Sequence, residues 1–167
     1  MAITATTLVY YTGLTVTEIL GGNVVGLSDK TVKHSSLNKS SGALDSTTTP
    51  PVTKVATFNQ ALSGGAATID LNALTGTNGA AVNGEGLRIQ AIKLSAPSTN
   101  ANVITATFGE THPYNLAGAA WSVALLAGQE FVFYGNDATP DIEDGVASAI
   151  DLAGTASQTL NVCIVMG

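Results

Sequence analysis

Several short segments of the chain alternate apolar and polar residues with a period of two. In residues 159–166 the side chains of Leu160, Val162, Ile164 and Met166 fall on one face. Such alternation, bounded by Gly, Asn and Pro, is typical of a β-strand. The same pattern predicts strands at Thr7–Tyr11, Thr15–Leu20, Ala67–Leu71, Leu87–Leu94, Val103–Phe108 and Glu130–Tyr134, and near Ala149–Leu152.

Two further features refine this prediction. Within Leu87–Leu94 the apolar phase changes between Ile89 and Ile92, which indicates either a β-bulge or a strand buried on both faces. The best helix candidate is Asn115–Leu126, but Gly118 lies in its middle and its second half fits a strand equally well. About eight short strands separated by turns are typical of a sandwich or a barrel. We therefore predict an all-β, antiparallel fold.

Composition divides the chain into three parts. Residues 29–51 are rich in Ser, Thr and Lys, contain few large apolar side chains, and end in Pro50-Pro51. These features predict a long exposed loop or hinge. The loop would separate an N-terminal β segment, residues 1–28, from a β-sandwich body at residues 52–167.

Charge excludes several classes of function. Only 11% of the residues are charged and 45% are hydrophobic, whereas globular proteins average about 25% charged residues. Residues 1–54 sum to +1 and residues 55–167 to −7, with a single arginine in the chain. Nucleic-acid binding requires a basic face, so it is not expected. There is no apolar run of about 18 residues and no basic signal-peptide region, which predicts a protein made in the cytoplasm, without a membrane span.

The segment from Asn136 to Gly145 concentrates acids and is the first candidate for chemistry. Asp137, Asp141 and Asp144 are candidate calcium ligands. They do not fit an EF-hand loop, because with Gly145 at its sixth position the first position, which must supply an oxygen ligand, is Pro140. The alternative is a solvated turn whose acids disfavour pairing between sheet edges. We expect the turn, and therefore no bound metal.

No other pattern indicates catalysis or a cofactor. The neighbourhoods of His34 and His112 do not resemble a nucleophile elbow, and the Gly-rich stretch before Leu87 lacks the lysine of a phosphate-binding loop. Cys163 is the only cysteine, so no disulfide can form within the chain. Tyr114 and Trp121 could form an interface or a sugar-stacking platform. We predict that the protein is not an enzyme and binds no cofactor.

The order of motifs in residues 55–167 resembles that of small β-sandwich virion proteins of tailed bacteriophages. The shared features are the stretch LRIQAI, an Asn-rich turn before an apolar strand that ends in Gly, the stretch LLAGQEFVFYG, and the terminal stretch DLAGTASQTLNVCIVMG. In this pattern Gly128 turns the chain before Phe131 and Phe133 enter the core. The resemblance implies a jelly-roll-like sandwich without enzymatic activity, which forms homo-oligomers and contacts other capsid proteins in the virion.

The resemblance does not reach the N-terminal residues, so their role is a separate hypothesis. We expect residues 1–28 to act as an assembly arm that adds to a neighbouring subunit. The alternative is that they form ordinary strands of the same sandwich. The apolar contacts of the arm would be Leu8, Val9, Tyr10, Tyr11, Leu14, Val16, Ile19 and Leu20.

The expected function is that of a non-enzymatic virion structural protein, either a capsid subunit or a decoration (cement) protein. The competing hypothesis is a β-sandwich module of adhesion or fibre type, which binds a carbohydrate or a host surface through Trp121 and the loops. The first predicts symmetric oligomers, and the second predicts a saturable ligand with little self-assembly.

Overall fold

A computed structural model describes residues 6–20, 30–108, 111–135 and 137–167, with the backbone alone described for residues 12–20 and 30–40. In this part of the chain the regular structure is entirely β. The strands are β1 (Leu8–Leu20), β2 (Lys30–Leu44), β3 (Lys54–Ala61), β4 (Ala66–Asp70), β5 (Leu74–Thr75), β6 (Ala81–Val82), β7 (Ile89–Ser95), β8 (Ile104–Phe108), β9 (Trp121–Leu125), β10 (Glu130–Tyr134), β11 (Ala149–Ala153) and β12 (Thr159–Met166).

Eight of these strands form an antiparallel sandwich of two four-stranded sheets, with the orders β10-β7-β12-β3 and β4-β11-β8-β9. Their pairing is nested along the chain: β3 pairs with β12, β4 with β11, β7 with β10, and β8 with β9. Pairs β7–β12 and β8–β11 join the nested pairs into sheets. A long hairpin rolled up in this way gives the eight-stranded jelly-roll arrangement. The predicted jelly-roll-like sandwich is therefore confirmed.

The core lies between the two sheets and follows the predicted alternation. Leu160, Val162, Ile164 and Met166 of β12 are all buried. Opposite them, Ile104, Ala106 and Phe108 of β8 and Ile150 and Leu152 of β11 belong to the same apolar cluster. Phe131 and Phe133 pack against this cluster after a turn in which Gly128 has φ +79°, a conformation that favours glycine.

The change of phase in β7 is a β-bulge, which is one of the two predicted alternatives. Val165 pairs with Ala91, and the next residue, Met166, pairs with Ile89, so Gln90 is the extra residue on β7. Its side chain is fully buried. The Gln90 amide accepts a hydrogen bond from the Asp137 backbone N–H at 3.0 Å and donates to the Gly167 carbonyl at 3.3 Å. The bulge thus joins β7 to the loop after β10 and to the end of β12.

The prediction of a loop over residues 29–51 is wrong for most of that segment. Lys30–Leu44 is strand β2, which pairs antiparallel with β1 over its whole length, from Leu8 opposite Leu44 to Leu20 opposite Lys30. Residues 45–52 form a turn, closed by a hydrogen bond of 2.8 Å from the Val52 N–H to the Asp45 carbonyl. We call the β1–β2 pair the ribbon. It belongs to neither sheet of the sandwich.

Strand β9 resolves whether the second half of residues 115–126 is a helix or a strand. Residues 121–125 form the last strand of the second sheet, and the residues before them form turns rather than a helix. The short pair β5–β6 is a separate hairpin, closed by a hydrogen bond of 2.8 Å from the Gly76 N–H to the Ala80 carbonyl. Among the described residues no helix is long and apolar enough to cross a membrane.

Candidate functional site

The outer face of the β10-β7-β12-β3 sheet changes from polar to apolar along the strands. The register aligns four side chains in each of three rows across this face. The polar row is Glu130, Ser95, Asn161 and Asn59; the middle row is Val132, Lys93, Cys163 and Thr57; the apolar row is Tyr134, Ala91, Val165 and Val55. Since an exposed sheet face is normally polar, the apolar row needs a cover.

The start of the ribbon supplies that cover. We call residues 8–11 and 41–44 the ribbon base. Leu44 is buried in one cluster with Val165 and with Val52, and Leu8 packs against the same cluster. Strand alternation sends Val9 and Tyr11 to the opposite side, where they are 55% and 74% exposed. The ribbon is therefore anchored to the sandwich by one face of its base.

A tyrosine pair strengthens this anchor. The rings of Tyr10 and Tyr134 stack with centroids 3.9 Å apart. Tyr10 lies opposite Gly42 in the ribbon, and a Cβ atom on Gly42 would come within 2.9 Å of the Tyr10 ring. Burial, followed by a hydrogen bond with Tyr10, raises the pKa of the Tyr134 phenol to about 12. Tyr134 is therefore neutral near pH 7, and Gly42 gives the Tyr10 ring room to reach the sheet.

An apolar depression lies between the ribbon base and strand β10, at the edge of the sheet. Its volume is about 370 Å³, and Lys93 is the single charged residue in its lining. Val9, Tyr11, Tyr134 and Val132 lie along it, and Val132 is 63% exposed. Exposed valines and a tyrosine beside an edge strand are the composition expected of a contact surface rather than of a solvated face.

The polar end of the same face is a shallower depression of about 510 Å³. There the Lys93 ammonium lies 2.8 Å from the Glu130 carboxylate, and the Ser95 hydroxyl donates to the same oxygen at 3.1 Å. These two hydrogen bonds, first that of Lys93, hold the pKa of Glu130 below its usual value. The pair neutralises the charge of Lys93 next to the apolar depression.

The acidic segment is organised by an arginine rather than by its own carboxylates. Arg88 Nε lies 2.6 Å from Asp141 Oδ1, and Arg88 Nη1 lies 3.2 Å from Asp137 Oδ1. Asp144 instead accepts a hydrogen bond of 3.3 Å from the Asn72 amide. Asp137 and Asp141 thus share a guanidinium, and Asp144 is not placed with them. Within the described residues no three side chains of His, Cys, Asp or Glu are grouped to hold a metal ion.

The two aromatic candidates lie in or against the core. Tyr114 is fully buried, so the structure corrects the suggestion that it could stack on a sugar or form an interface. Its hydroxyl accepts a hydrogen bond from the Ile89 N–H at 3.1 Å and donates to the Pro140 carbonyl at 2.8 Å. Trp121 is half-buried and stacks on Phe108 with ring centroids 4.8 Å apart. One face of its ring is therefore unavailable to a ligand.

The arm candidates fall into two groups. Leu8 and Tyr10 contact the sandwich, while Val9 and Tyr11 are exposed and line the apolar depression beside β10. Leu14, Val16, Ile19 and Leu20 belong to β1, but their side chains lie outside the described part of the structure, as do residues 1–5 and 21–29 altogether. The side chain of His34 is also outside it, and His112 lies in a turn with φ +48°.

The residues that receive the ribbon base, namely Tyr134, Ala91 and Val165, were not predicted from the sequence. One signal was present, because Val132 and Tyr134 are apolar residues on the face opposite Phe131 and Phe133. A strand that is apolar on both faces predicts a second contact surface. Which residues contact that surface depends on the strand register, and the register cannot be inferred from a local sequence pattern.

No protein family, curated protein or solved structure matches this chain. The assignment of the fold therefore rests on strand pairing and topology.

Proposed function

We propose that this chain is a non-enzymatic virion structural protein that self-assembles in or on a phage capsid, with the ribbon as its assembly arm. The ribbon is the single observation that carries the proposal. Strand β1 has 13 residues and β2 has 15, against eight for the longest strands of the sandwich. At about 3.3 Å per residue, the ribbon is roughly 40 Å long.

The physics of a two-stranded sheet supports an assembly role. An isolated hairpin is marginally stable in water at best, because it buries little apolar surface. Among the side chains that the structure describes, those of Leu8, Tyr10 and Leu44 at the base hold the ribbon to the sandwich. Contact with other subunits would supply the remaining burial and would satisfy the free edges of β1 and β2.

The composition and the sequence resemblance agree with this role. A chain with 11% charged residues suits surfaces that are covered in an assembly. Jelly rolls occur in viral capsid proteins, lectins and cupins. The fold by itself therefore does not distinguish these classes of protein. The burial of Tyr114 leaves the carbohydrate-binding alternative with Trp121 and the loops, and Phe108 covers one face of the Trp121 ring.

The test is the mass of the full chain in solution, measured by light scattering after size exclusion, with negative-stain images of the same fractions. We expect a symmetric oligomer or a particle. A monomer at every accessible concentration, together with no binding to phage capsids, would contradict the proposal. Saturable binding to a glycan array by that monomer would favour the adhesion module instead.

A further inference from the structure

We propose that the apolar depression between the ribbon base and edge strand β10 binds the outer part of the ribbon from a second copy of this chain. This inference rests on the proposed function and names the surface that receives the arm. The outer part of the ribbon comprises residues 12–20 of β1 and 30–40 of β2.

The receiving surface has the exposure and the apolar composition of one side of a protein–protein interface. It continues directly from the contact already made by Tyr10 and Tyr134. Its lining is apolar apart from Lys93, which is paired with Glu130. Strand β10 forms the edge of its sheet, so its outer backbone groups face away from β7. An edge strand flanked by apolar side chains favours the addition of an extended segment.

Geometry indicates a second copy rather than the same one. Tyr11 lines the depression, and β1 continues from it as a paired strand to Leu20. Nine further residues of a strand span about 30 Å. This length carries most of the outer part of the ribbon beyond a depression that Tyr11 already lines, although the register irregularities between Thr12 and Val16 let the paired strands bend.

Charge supports the same partner. Strands β1 and β2 carry Lys30, Lys33 and Lys39 against one acid, Glu18, so the ribbon strands sum to +2. Residues 45–167 carry three basic and ten acidic residues, so they sum to −7. Complementary charge of this kind steers a ribbon toward the body of another copy. The sequence of β1 also contains apolar residues of the type that would fill such a depression, namely Leu14, Val16, Ile19 and Leu20.

The first experiment compares Val132→Lys with Val146→Lys in the full chain. The two valines are matched, since they are 63% and 61% exposed, but Val146 is not among the residues that line the depression. Neither change removes a buried side chain, so both variants should stay folded, with Val132→Lys melting slightly below wild type because the new lysine lies opposite Lys93. We expect Val132→Lys to weaken self-association by about tenfold or more, as at a central interface residue, and Val146→Lys to leave it unchanged.

The second experiment identifies the occupant. A photo-crosslinking residue is placed at position 132, and copies labelled with ¹⁵N are mixed with unlabelled copies before irradiation. We expect crosslinks from position 132 to residues 12–20 or 30–40 that join a labelled copy to an unlabelled one. Crosslinks to residues 8–11 within one copy serve as the internal control, because Val9 and Tyr11 line the same depression.

The outcomes separate the two proposals. Wild type that stays monomeric contradicts both the proposed function and this inference. An oligomer that is equally stable in Val132→Lys and wild type, or that gives crosslinks only to another part of the body, overturns the receiving surface while leaving self-assembly intact. Crosslinks to the outer ribbon of the same copy would show that the ribbon folds back, and they would also overturn the inference.

Discussion

At the scale of single residues, the best-defined network surrounds the bulge in β7. The fully buried Tyr114 hydroxyl bonds both to the Ile89 N–H and to the Pro140 carbonyl. The Thr139 hydroxyl donates to the Ile89 carbonyl at 2.9 Å, and Gln90 bonds to the Asp137 N–H. Bulges interrupt the regular ladder, so these side chains replace hydrogen bonds that a regular strand would make. They also fix the loop that carries Asp137 and Asp141.

This network gives a stability prediction. Tyr114→Phe keeps the ring but leaves the buried Ile89 N–H without its side-chain acceptor, which costs about 1–3 kcal/mol. We expect the midpoint of denaturant unfolding to fall accordingly. Tyr11→Phe is the matched control. Tyr11 is 74% exposed, so removal of its hydroxyl should change the free energy of unfolding by no more than about 0.5 kcal/mol. Equal midpoints for the two variants would show that the hydroxyl network does not contribute.

Tyr134 gives a prediction about pH. Its pKa is raised to about 12 by burial and by Tyr10, compared with about 10 for a free tyrosine. A raised pKa means that the neutral phenol stabilises the folded state fully below pH 10 and that this contribution disappears as the pH rises to 12. We expect the ribbon base to separate from the sheet in that range.

Ultraviolet titration of phenolate measures this effect. Burial also raises the pKa of Tyr114, so wild type should show two late-ionising tyrosines. Tyr134→Phe should remove one of them, and Tyr114→Phe should remove the other. A Tyr134 that ionises at the value of a free tyrosine, about 10, would mean that the ribbon base is not docked in solution.

At the scale of elements, the ribbon and the sandwich are distinct units joined at one place. The apolar row Tyr134, Ala91, Val165 and Val55 lies under the ribbon base, and the turn at residues 45–52 connects the two units. A continuous core strand could not be removed without opening the sandwich, whereas a docked ribbon could. The alternative that the N-terminal residues are ordinary strands of the sandwich does not agree with the sheet order.

Removal of residues 1–43 tests this division. We expect a folded monomer that no longer assembles, because the nested sandwich pairs all lie after residue 53. Exposure of the apolar row should lower the free energy of unfolding by roughly 2 kcal/mol or more, since full burial of one large apolar side chain contributes about 1.5–3 kcal/mol. Size exclusion with light scattering and thermal unfolding measure the two effects. An aggregate would indicate that the ribbon is part of the core, and an unchanged oligomer would contradict the arm.

At the scale of the whole molecule, the charge distribution and the topology point to the same division. The sandwich carries nearly all of the negative charge, and the ribbon strands carry half of the lysines and arginine of the chain. The nested pairing brings the first and last strands of the sandwich together as β3 and β12. At the other edge of the same sheet, strand β10 and the ribbon base form one continuous surface.

The sequence by itself determined those elements whose local pattern reflects burial on one face. Residues 159–166 and 130–134 were predicted with the boundaries of β12 and β10. In both segments the alternation of buried and exposed positions appears directly as an alternation of residue types. The irregularity in β7 was visible for the same reason, as a shift of phase between Ile89 and Ile92. The all-β class followed from these segments together with the absence of a convincing amphipathic helix.

Only the tertiary structure decided what depends on contacts distant in sequence. Strand β2 is rich in Ser and Lys and resembles a loop because it pairs with β1 outside the sandwich, so no apolar core face marks it as a strand. Arg88 contacts Asp137 and Asp141 across about fifty residues, and Tyr10 stacks on Tyr134 across more than a hundred. Strand register and the nested order of strand pairing bring these residues into contact, and both are properties of strand pairs rather than of any one strand.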